Sequence, residues 1–235
     1  MDRFAQIAEG RERWNAGRSI PRHYHDGAYV AIVLSGGYEE CGSHGRFRVT
    51  AGEVLLHHAF DAHLNRFHGI GAKILNLAAS MTDRKSAIGR VDDPDAIVRA
   101  AECDPSAAHA ELRRQFRETT SAPDDWPDLL AHDLLNVSRC RLKHWAEQHG
   151  LAAETVSRGF TRVFGVTPAF FRREAQARRA FALIAGTGAP LASVAAATGF
   201  SDQPHMCRAV RALTGASPSA WRRSIPFKTA GTSVH

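Results

Sequence analysis

The sequence predicts a two-domain fold, β followed by α, in which a small β-barrel or sandwich precedes an all-α domain. Two observations support this prediction. Short β-branched and apolar runs separated by glycine-containing turns occupy residues 23–79, and this spacing is typical of a small barrel or sandwich. Residues 138–223 instead contain one helical pattern twice. The fold class is therefore expected to change along the chain.

The charge distribution follows the same division. Residues 138–225 hold 13 Lys and Arg against 4 Asp and Glu, whereas residues 1–137 hold 16 against 20. A basic half joined to a mildly acidic half is typical of a nucleic-acid-binding module attached to another domain. Charge alone also fits ordinary solvated, arginine-rich helices, so the motifs must decide.

Cysteine spacing and hydropathy exclude several classes of protein. The four cysteines form no C-x-x-C pair, which argues against a zinc knuckle or a thioredoxin-type site. Residues 1–13 are polar and charged, unlike a secretory signal. No segment approaches the roughly 20 apolar residues that a membrane helix requires. We therefore expect a cytoplasmic protein with no membrane partner.

The β-rich part reads as short strands joined by tight turns. Strands are predicted over 28–35, 38–41, 46–49, 53–57 and 74–78. Turns are predicted at Gly36-Gly37, across 42–45 and at Ala51-Gly52. Nothing helical is expected before about residue 80.

A helical connector is predicted next. Pro94 and Pro105 are placed as first residues of helices, and residues 121–125 form a break. The predicted domains are a barrel over 1–80, a connector over 81–125, a helical domain over 126–225 and a flexible tail over 226–235.

The C-terminal pattern recurs at a spacing of fifty residues. Arg158-x-Phe160 followed by Gly165-x-x-Pro168 returns as Arg208-x-Val210 followed by Gly215-x-x-Pro218. An Ala-x3-Gly step precedes each copy, at 146–150 and 195–199. A short helix ended by glycine and followed by an amphipathic helix is the pattern of a helix-turn-helix. Thr167 and Ser217 are the expected caps of the helices that follow.

Each second helix is predicted to present a polar face to DNA. In the first copy this face holds Thr155, Arg158, Gly159 and Arg162, with the glycine placed where the helix could approach a groove floor. Arginine can donate two hydrogen bonds to guanine in the major groove. Arg158 and its counterpart Arg208 are therefore the leading base readers, with phosphate contact as the alternative.

Paired arginines close each copy and are better placed to contact phosphate than bases. The candidate DNA-binding residues are Thr155, Arg158, Arg162, Gln203, His205, Arg208, Arg211, Arg172, Arg173, Arg222 and Arg223.

The segment from Leu191 to Arg223 resembles the signature of the AraC/XylS family of bacterial transcription regulators, and the resemblance covers roughly residues 129–223. It implies two helix-turn-helix units that enter successive major grooves about 34 Å apart. Pro204, Met206 and Val210 depart from the family pattern in the second copy.

The N-terminal histidines resemble the motifs of the cupin barrel. His23-x-His25 and a later His63 match them, but Tyr29 stands where metal-binding cupins have an acidic residue. The resemblance implies a cupin-like β-barrel sensing domain with His23, His25, Tyr29 and His63 as candidate ligand-binding residues. Three interpretations remain open: a metal-free ligand pocket, a regulatory metal site completed by His57, His58 or Asp61, and a catalytic metal. The first is preferred, so no metal ligand and no cofactor is assigned.

The sequence thus predicts a sequence-specific transcriptional regulator and not an enzyme. Its expected partners are double-stranded promoter DNA, a small-molecule effector, RNA polymerase if it activates, and a second copy if it dimerises. The rival interpretations are a cupin metalloenzyme whose helical half is a support and a ligand-independent architectural DNA binder.

Overall fold

The computed structural model describes residues 4–78, 87–120, 125–136 and 140–224. The chain forms two compact units, Met1–Phe171 and Arg172–His235. The first unit contains the sheet and the first helix-turn-helix, and the second contains the other helix-turn-helix. The separate folding domains predicted from sequence, with a boundary near residue 126, stay a prediction.

The described part of the first unit is built on one antiparallel sheet. Its path runs β1-β6-β3-β5-β7-β8, with β2 also paired to β6 and β4 also paired to β3. The strands are β1 (Gly10–Trp14), β2 (Ser19–Tyr24), β3 (Tyr29–Gly42), β4 (Gly45–Thr50), β5 (Glu53–His57), β6 (Ala62–Ala78), β7 (Ile88–Arg90) and β8 (Arg117–Glu118). The predicted order, β then α, is confirmed. Among the described strands β1 and β8 do not pair, so the sheet is not a closed barrel.

The predicted turn at Gly36-Gly37 is wrong. Strand β3 runs through both glycines, and its register with β6 shifts on either side of Gly36. Gly36 has φ 73°, and a Cβ there would lie 1.9 Å from the carbonyl oxygen of Gly71. The glycine therefore permits a bulge and a close approach of two strands, not a reversal of the chain. The predicted turns at 42–45 and at Ala51-Gly52 do separate strands.

The strand pattern was also incomplete at both ends. Strands β1 and β2 begin before residue 23, where the predicted set started, and the predicted strand 74–78 is only the end of the 17-residue β6. Polar residues alternate with apolar ones in these segments, because one face of each borders a polar cavity or solvent.

The two faces of the sheet have separate cores. Val30 and Ile32 point to one face, where they pack with two helices, α1 (Pro94–Cys103) and α2 (Pro105–Gln115). Tyr29, Ala31 and Val33 point to the other, concave face. This alternation is the period of two that a strand imposes. The predicted connector is therefore a layer packed on the sheet.

Both helices of this layer begin where the sequence predicted. Pro94 and Pro105 are their first residues, and the side chains of Asp93 and Asp104 accept hydrogen bonds from the first-turn amides. Such caps satisfy donors that have no partner within the helix. Of the predicted break at 121–125 only Asp125 is among the described residues, and the predicted tail lies outside them.

The remaining helices form the helix-turn-helix region. They are α3 (Trp126–Asn136), α4 (Leu142–Gln148), α5 (Ala153–Phe164), α6 (Pro168–Gly186), α7 (Leu191–Ala197), α8 (Gln203–Thr214) and α9 (Pro218–Ser224). The first unit buries Leu130, Trp145, Phe160 and Phe171 in one core with residues of the sheet. Across the described residues, no helix is long and apolar enough to cross a lipid bilayer.

A buried ion pair fastens α3 to β4. The Arg46 side chain is 7% exposed, and its guanidinium donates to Asp128 at 2.8 Å and to Asp125 at 2.7 Å. These bonds satisfy a buried charge, since an unpaired one would be costly. The first helix-turn-helix is thereby held on the sheet by polar as well as apolar contacts.

Candidate functional site

Each helix-turn-helix unit turns at a left-handed glycine. Gly150 follows α4 with φ 66°, and Gly199 follows α7 with φ 79°. Gly165 and Gly215 end the second helices in the same conformation, which L side chains rarely adopt. The repeat seen in the sequence is thus a repeat of backbone geometry. The Thr167 and Ser217 hydroxyls accept from Phe170 N and Ala220 N, as expected for caps.

Helix α5 separates an apolar face from a polar one. Val156, Phe160 and Phe164 are fully buried, and the rings of the two phenylalanines stack at 4.5 Å. Thr155, Arg158 and Arg162 are exposed on the opposite face, at helical spacing i, i+3 and i+7. The predicted DNA-facing residues of this helix therefore lie together on an exposed surface.

Gly159 does not belong to that surface. A Cβ at this position would come within 2.5 Å of the indole ring of Trp126 in α3. The glycine is required by packing between two helices of the protein. Its interpretation as a close approach to a groove floor is wrong.

Helix α8 begins with a complete cap. The Asp202 carboxylate accepts from His205 N at 2.6 Å, and this bond lowers the pKa of Asp202. Pro204 lies in the first turn, where a missing backbone N–H leaves no helical bond unmade. The departure from the family pattern at Pro204 is thus accommodated at the start of the helix.

The exposed face of α8 differs from that of α5. Gln203, Arg208 and Arg211 are exposed, whereas His205 is half-buried with its ring edge against Phe200 at 5.3 Å. The ring of His205 therefore has a contact within the unit, and a base contact by this residue stays a prediction. Arg208 matches Arg158 in position.

The closing arginines differ in environment. Arg223 and Arg173 are exposed, and Arg172 and Arg222 are half-buried. The Arg222 guanidinium donates to the carbonyl oxygen of Ala189, in the loop before α7. This bond gives Arg222 a structural role, while phosphate contact by any of the four stays a prediction.

The concave face of the sheet encloses a cavity of about 480 Å³. All four candidate ligand-binding residues, His23, His25, Tyr29 and His63, line it. The structure therefore brings together residues that lie on three strands and a loop. The cavity also has polar side chains that the sequence analysis did not select, and these include Glu12, Arg22, Glu40, Asn65 and Asn76.

The imidazoles form a chain of hydrogen bonds through the cavity wall. His23 Nδ1 lies 2.9 Å from the carbonyl oxygen of Pro21, and His23 Nε2 lies 2.9 Å from His63 Nε2. His63 Nδ1 lies 3.2 Å from His57 Nδ1. Because a carbonyl only accepts, His23 Nδ1 is the donor, His63 Nε2 donates to His23, and His57 Nδ1 donates to His63. One direction of donation thus links three neutral rings, and His57 Nε2 is left without a hydrogen-bond partner among the described atoms.

Burial keeps this cluster neutral. Desolvation lowers the pKa of His57 to about 3 and that of His63 well below its ordinary value. Desolvation also raises the pKa of Glu40 to about 8, although a bond from Asn65 at 2.9 Å opposes the shift. A charged form of any of these groups would require a partner brought by a ligand.

Glu40 is an acidic residue beside the histidines of the cavity wall. Its Oε1 lies 3.6 Å from His63 Nδ1 and 3.8 Å from His57 Nε2. The sequence does not readily predict that Glu40 faces the cavity. From Tyr29 onward every second residue of β3 points inward, but the bulges around Gly36 interrupt this alternation before Glu40. Three sets of described residues could surround a cation: His23, His25 and His63; Glu40, His57 and His63; and His44, His58 and Asp61.

The third set lies at the turns between strands, outside the cavity lining. Asp61 Oδ2 accepts from His58 N at 2.8 Å and lies 2.7 Å from His44 Nε2. These bonds fix the turn between β5 and β6 against the turn between β3 and β4. The sequence left open that His58 or Asp61 completes a metal site with His63. The structure places both beside His44 instead.

Comparisons with known proteins agree with the repeat. Residues 145–224 match a family model described as a helix-turn-helix domain. No match was found among curated protein sequences.

Three solved structures are similar at low identity. ToxT of Vibrio cholerae strain SCE256, bound to an unsaturated fatty acid, aligns with TM-score 0.41 and 9% identity over 92% of this chain and 95% of that chain. The C-terminal domain of AraT, a response regulator of Geobacillus stearothermophilus, aligns with TM-score 0.42 and 19% identity over 46% and 93%. The DNA-binding domain of AdpA, a global transcriptional factor in complex with a target DNA, aligns with TM-score 0.37 and 21% identity over 40% and 86%.

All three TM-scores lie below 0.5, so these similarities assign no residue of this chain to a role. The family match and the repeated geometry of the two units agree over the same residues. Residues 145–224 of this chain match the helix-turn-helix domain family.

Proposed function

We propose that this protein is a sequence-specific regulator of transcription that binds promoter DNA through α5 and α8 and responds to a small molecule in the sheet cavity. One observation carries the proposal. Each helix-turn-helix unit exposes an arginine at the same position of its second helix, Arg158 in α5 and Arg208 in α8. A repeated, exposed arginine on an amphipathic helix suits the major groove, which accepts an α-helix and offers guanine O6 and N7.

The charges around these helices support the same function. Exposed arginines close α5 and α8, and the segment 138–225 has a large excess of basic residues. Such charge supplies phosphate contacts, which fix register and orientation on the duplex. Sequence preference then comes from the few side chains that reach base edges, for which Arg158 and Arg208 are our candidates.

The cavity supplies the sensing part of the proposal. Its wall combines apolar surface with His25, Tyr29, Glu40 and Asn65, which is the composition of a site for a small polar molecule. A ligand changes DNA affinity only by its differential affinity for two states of the protein. We assign no catalytic role to the cavity.

A divalent transition metal is the second candidate effector. His23 and His25 each direct Nδ1 to a backbone carbonyl, of Pro21 and Ala5, so each Nε2 carries a lone pair. That of His23 accepts from His63 Nε2, and an ion would take the place of this bond. This orientation is typical of metal-binding histidines, and imidazole suits zinc, nickel, copper and iron. Glu40 and the histidines would lose protons or hydrogen bonds when the ion binds. Through this change in the cavity wall the ion would act as a regulatory signal.

Partners other than DNA follow from the same proposal. An activator of this kind contacts RNA polymerase, and a second copy of the chain would bind if the regulator acts as a dimer. Both partners are inferred from function alone.

Selection of binding sites by the full-length protein from a random duplex pool tests DNA recognition. We expect two preferred sequence blocks about one helical turn apart, because each unit reads one major groove. A single block would mean that only one unit reads bases. Absence of any enriched sequence, with and without added metal, would contradict the proposal and favour the enzyme interpretation.

The two candidate effectors are separated by metal analysis. Mass spectrometry of the purified protein shows whether a metal is bound. Titration of the chelator-treated protein with Zn²⁺, with DNA affinity recorded at each step, then tests whether the metal is the effector. A change in affinity at one equivalent supports it. No bound metal and no change would leave an organic molecule as the effector, to be sought among small polar compounds by thermal shift.

A further inference from the structure

Three adjacent strands present alternate residues to the cavity and to helix α5. On β6, His63 and Asn65 line the cavity, whereas Leu64 and Arg66 face the end of the helix. This division follows from the period of two in a strand. The cavity-side residues are His23, Glu40, His63 and Asn65, and the helix-side residues are Arg22, Glu39, Cys41, Leu64 and Arg66.

Two arginines of these strands bind the last turn of α5. Arg66 Nη2 donates to the carbonyl oxygens of Arg162 at 2.8 Å and Val163 at 3.0 Å. Arg22, which also borders the cavity, donates from Nη1 to the carbonyl oxygen of Phe164 at 3.4 Å. The sheet therefore supplies donors to three consecutive carbonyls of the helix.

These carbonyls are among those that a helix leaves without internal donors. Cationic donors at a helix C-terminus are also favoured by the helix dipole. The Arg66 guanidinium is itself fixed, because its Nη1 donates to Glu39 Oε1 at 2.8 Å and lies 3.5 Å from Cys41 Sγ. Its position is thus set by β3 and β6 together.

Apolar contacts act at the same place. Leu64 and Cys41 are buried in one core with Phe160 and Phe164. The Leu64 side chain lies against Gly165, where an added Cβ would approach it to 3.0 Å. A shift of β6 by a fraction of an ångström would therefore be felt at the end of α5, since close-packed cores transmit displacement.

We propose that Arg22 and Arg66 are positioning residues that make the placement of α5 depend on the strands around the cavity, so that a molecule in the cavity changes recognition of the α5 half-site. The α8 half-site is read by the other compact unit, which contains α8. Its recognition does not depend on the contacts of Arg22 and Arg66. The inference rests on the proposed function, because it needs sequence-specific DNA binding.

The test is a mutant cycle on the full chain, with affinity measured for duplexes mutated in either block. The block read by α5 is the one whose base preference changes in Arg158→Ala. Arg66→Met removes the carbonyl bonds and keeps the aliphatic stem. We expect it to reduce discrimination at the α5 block by at least about tenfold, since the loss of even one hydrogen bond to a charged group has an effect of about that size, and to leave the α8 block unchanged.

Because the ligand is unidentified, substitutions in the cavity wall take the place of ligand binding in this experiment. Glu40→Gln keeps the side-chain volume and alters the hydrogen bonding of the cavity wall, and His63→Phe is a second, larger change. Each should alter discrimination at the α5 block in the wild-type background and lose most of that effect in the Arg66→Met background. Amide exchange of residues 153–165 in the DNA-free proteins, where Arg66→Met should raise the exchange rate, reports on α5 independently of DNA.

Arg48→Met is the matched control. Arg48 lies on β4, is exposed and also reaches Glu39, with Nε 3.5 Å from Oε2. The control removes the same charge next to the same carboxylate and should leave both blocks and the exchange of α5 unchanged.

The failures of the two proposals are distinguishable. If the wild type shows no sequence preference, the proposed function fails, and with it this inference. If the wild type reads both blocks but the cavity and Arg66 substitutions act additively, or change both blocks equally, only the coupling is overturned. Equal effects of Arg48→Met and Arg66→Met would likewise assign the change to net charge.

Discussion

Among the arginines of α5, only Arg158 has an arginine, Arg208, at the corresponding position of the second unit. We predict that Arg158→Ala costs about 1 to 3 kcal/mol at one base pair of the first half-site and little on mismatched DNA, as expected for a bidentate contact to guanine. Competition binding with single-position variants of the selected site measures this. A uniform loss on all duplexes would show that Arg158 contacts phosphate.

Glu40 gives the protein a pH dependence that can be isolated. Its pKa is raised from 4.5 to about 8, so the native state holds a proton that the unfolded chain releases. The associated stability is complete below pH 4.5 and is lost as the pH rises to about 8. The buried histidines have lowered pKa values, so their contribution is lost only as the pH falls below 6.5. Between pH 6.5 and 8 the Glu40 contribution to the slope is opposite in sign to that of the histidines, which fades as the unfolded chain loses its imidazolium protons. Comparison with Glu40→Gln separates the two.

We therefore predict that the free energy of unfolding falls by up to about 1.4 kcal/mol per pH unit across that interval because of Glu40. Glu40→Gln should remove this part of the slope. Urea unfolding of both proteins with a chelator present measures the difference. Parallel slopes for the two proteins would mean that Glu40 is ionised in the native state.

The cavity shows how far residue-level prediction reached. His23, His25, Tyr29 and His63, which the sequence groups as one candidate set, line a single cavity. Glu40, His57 and Asn65 were not selected as ligand-binding residues. Their positions depend on the register of β3 with β6, which shifts at two bulges, and on the pairing of β5 with β3, and no local sequence signal specifies either.

At the scale of elements, packing between α3 and α5 should be sensitive to one methyl group. Gly159→Ala would place Cβ within 2.5 Å of the Trp126 ring. We predict a loss of about 1 to 3 kcal/mol, typical of overpacking, despite the better helix propensity of alanine. The urea midpoint of the full chain measures this, and Trp126→Leu in the same protein should recover part of the loss.

Gly186→Ala is the matched control for this substitution. It is also helical, and among the described atoms nothing lies within 4 Å of the added Cβ. We expect a gain of about 1 kcal/mol or less from helix propensity. Equal effects at the two positions would contradict the packing argument at Gly159.

Helices were predicted from sequence better than strands. Helix starts at Pro94 and Pro105, caps at Thr167 and Ser217, and the two glycine turns depend on local backbone chemistry. The sheet depends on distant pairing, and Gly36 shows the difference. A glycine pair reads locally as a turn, but here the carbonyl of Gly71 on another strand requires it.

For the whole molecule, the excess basic charge of the C-terminal half should make DNA affinity strongly dependent on salt. Arg223→Ala should weaken binding to all sequences and reduce the slope of log K against log salt by about 1, the effect of losing one phosphate contact. Titrations at several salt concentrations measure it. An unchanged slope with altered sequence preference would place Arg223 at the bases.

Arg222→Ala is a comparison with a different expected outcome. Because Arg222 donates to the carbonyl oxygen of Ala189, its removal should lower the thermal stability of the second unit, whereas Arg223→Ala should leave that stability unchanged. Calorimetry of the full chain separates the two. Equal melting temperatures for both variants would argue against a structural role of Arg222.

The division of the molecule could not be read from charge and repeat alone. Charge and repeat both change near residue 138, whereas the first compact unit extends to Phe171 and includes α5. The reason is the buried contact of Arg46 with Asp125 and Asp128, together with the shared core around Leu64 and Phe164. These pairings join residues about 80 or more positions apart and leave no periodic signal.

The sheet holds α5 through main-chain carbonyls, and every amino acid supplies the same carbonyl. Side chains on the exposed face of the helix can therefore be exchanged without disturbing the bonds from Arg22 and Arg66. A lineage could redirect such a regulator to new genes while keeping its inherited response. Under the proposed function, positions 155, 158 and 162 could likewise be rewritten for a chosen DNA site without altering the bonds that hold α5 on the sheet.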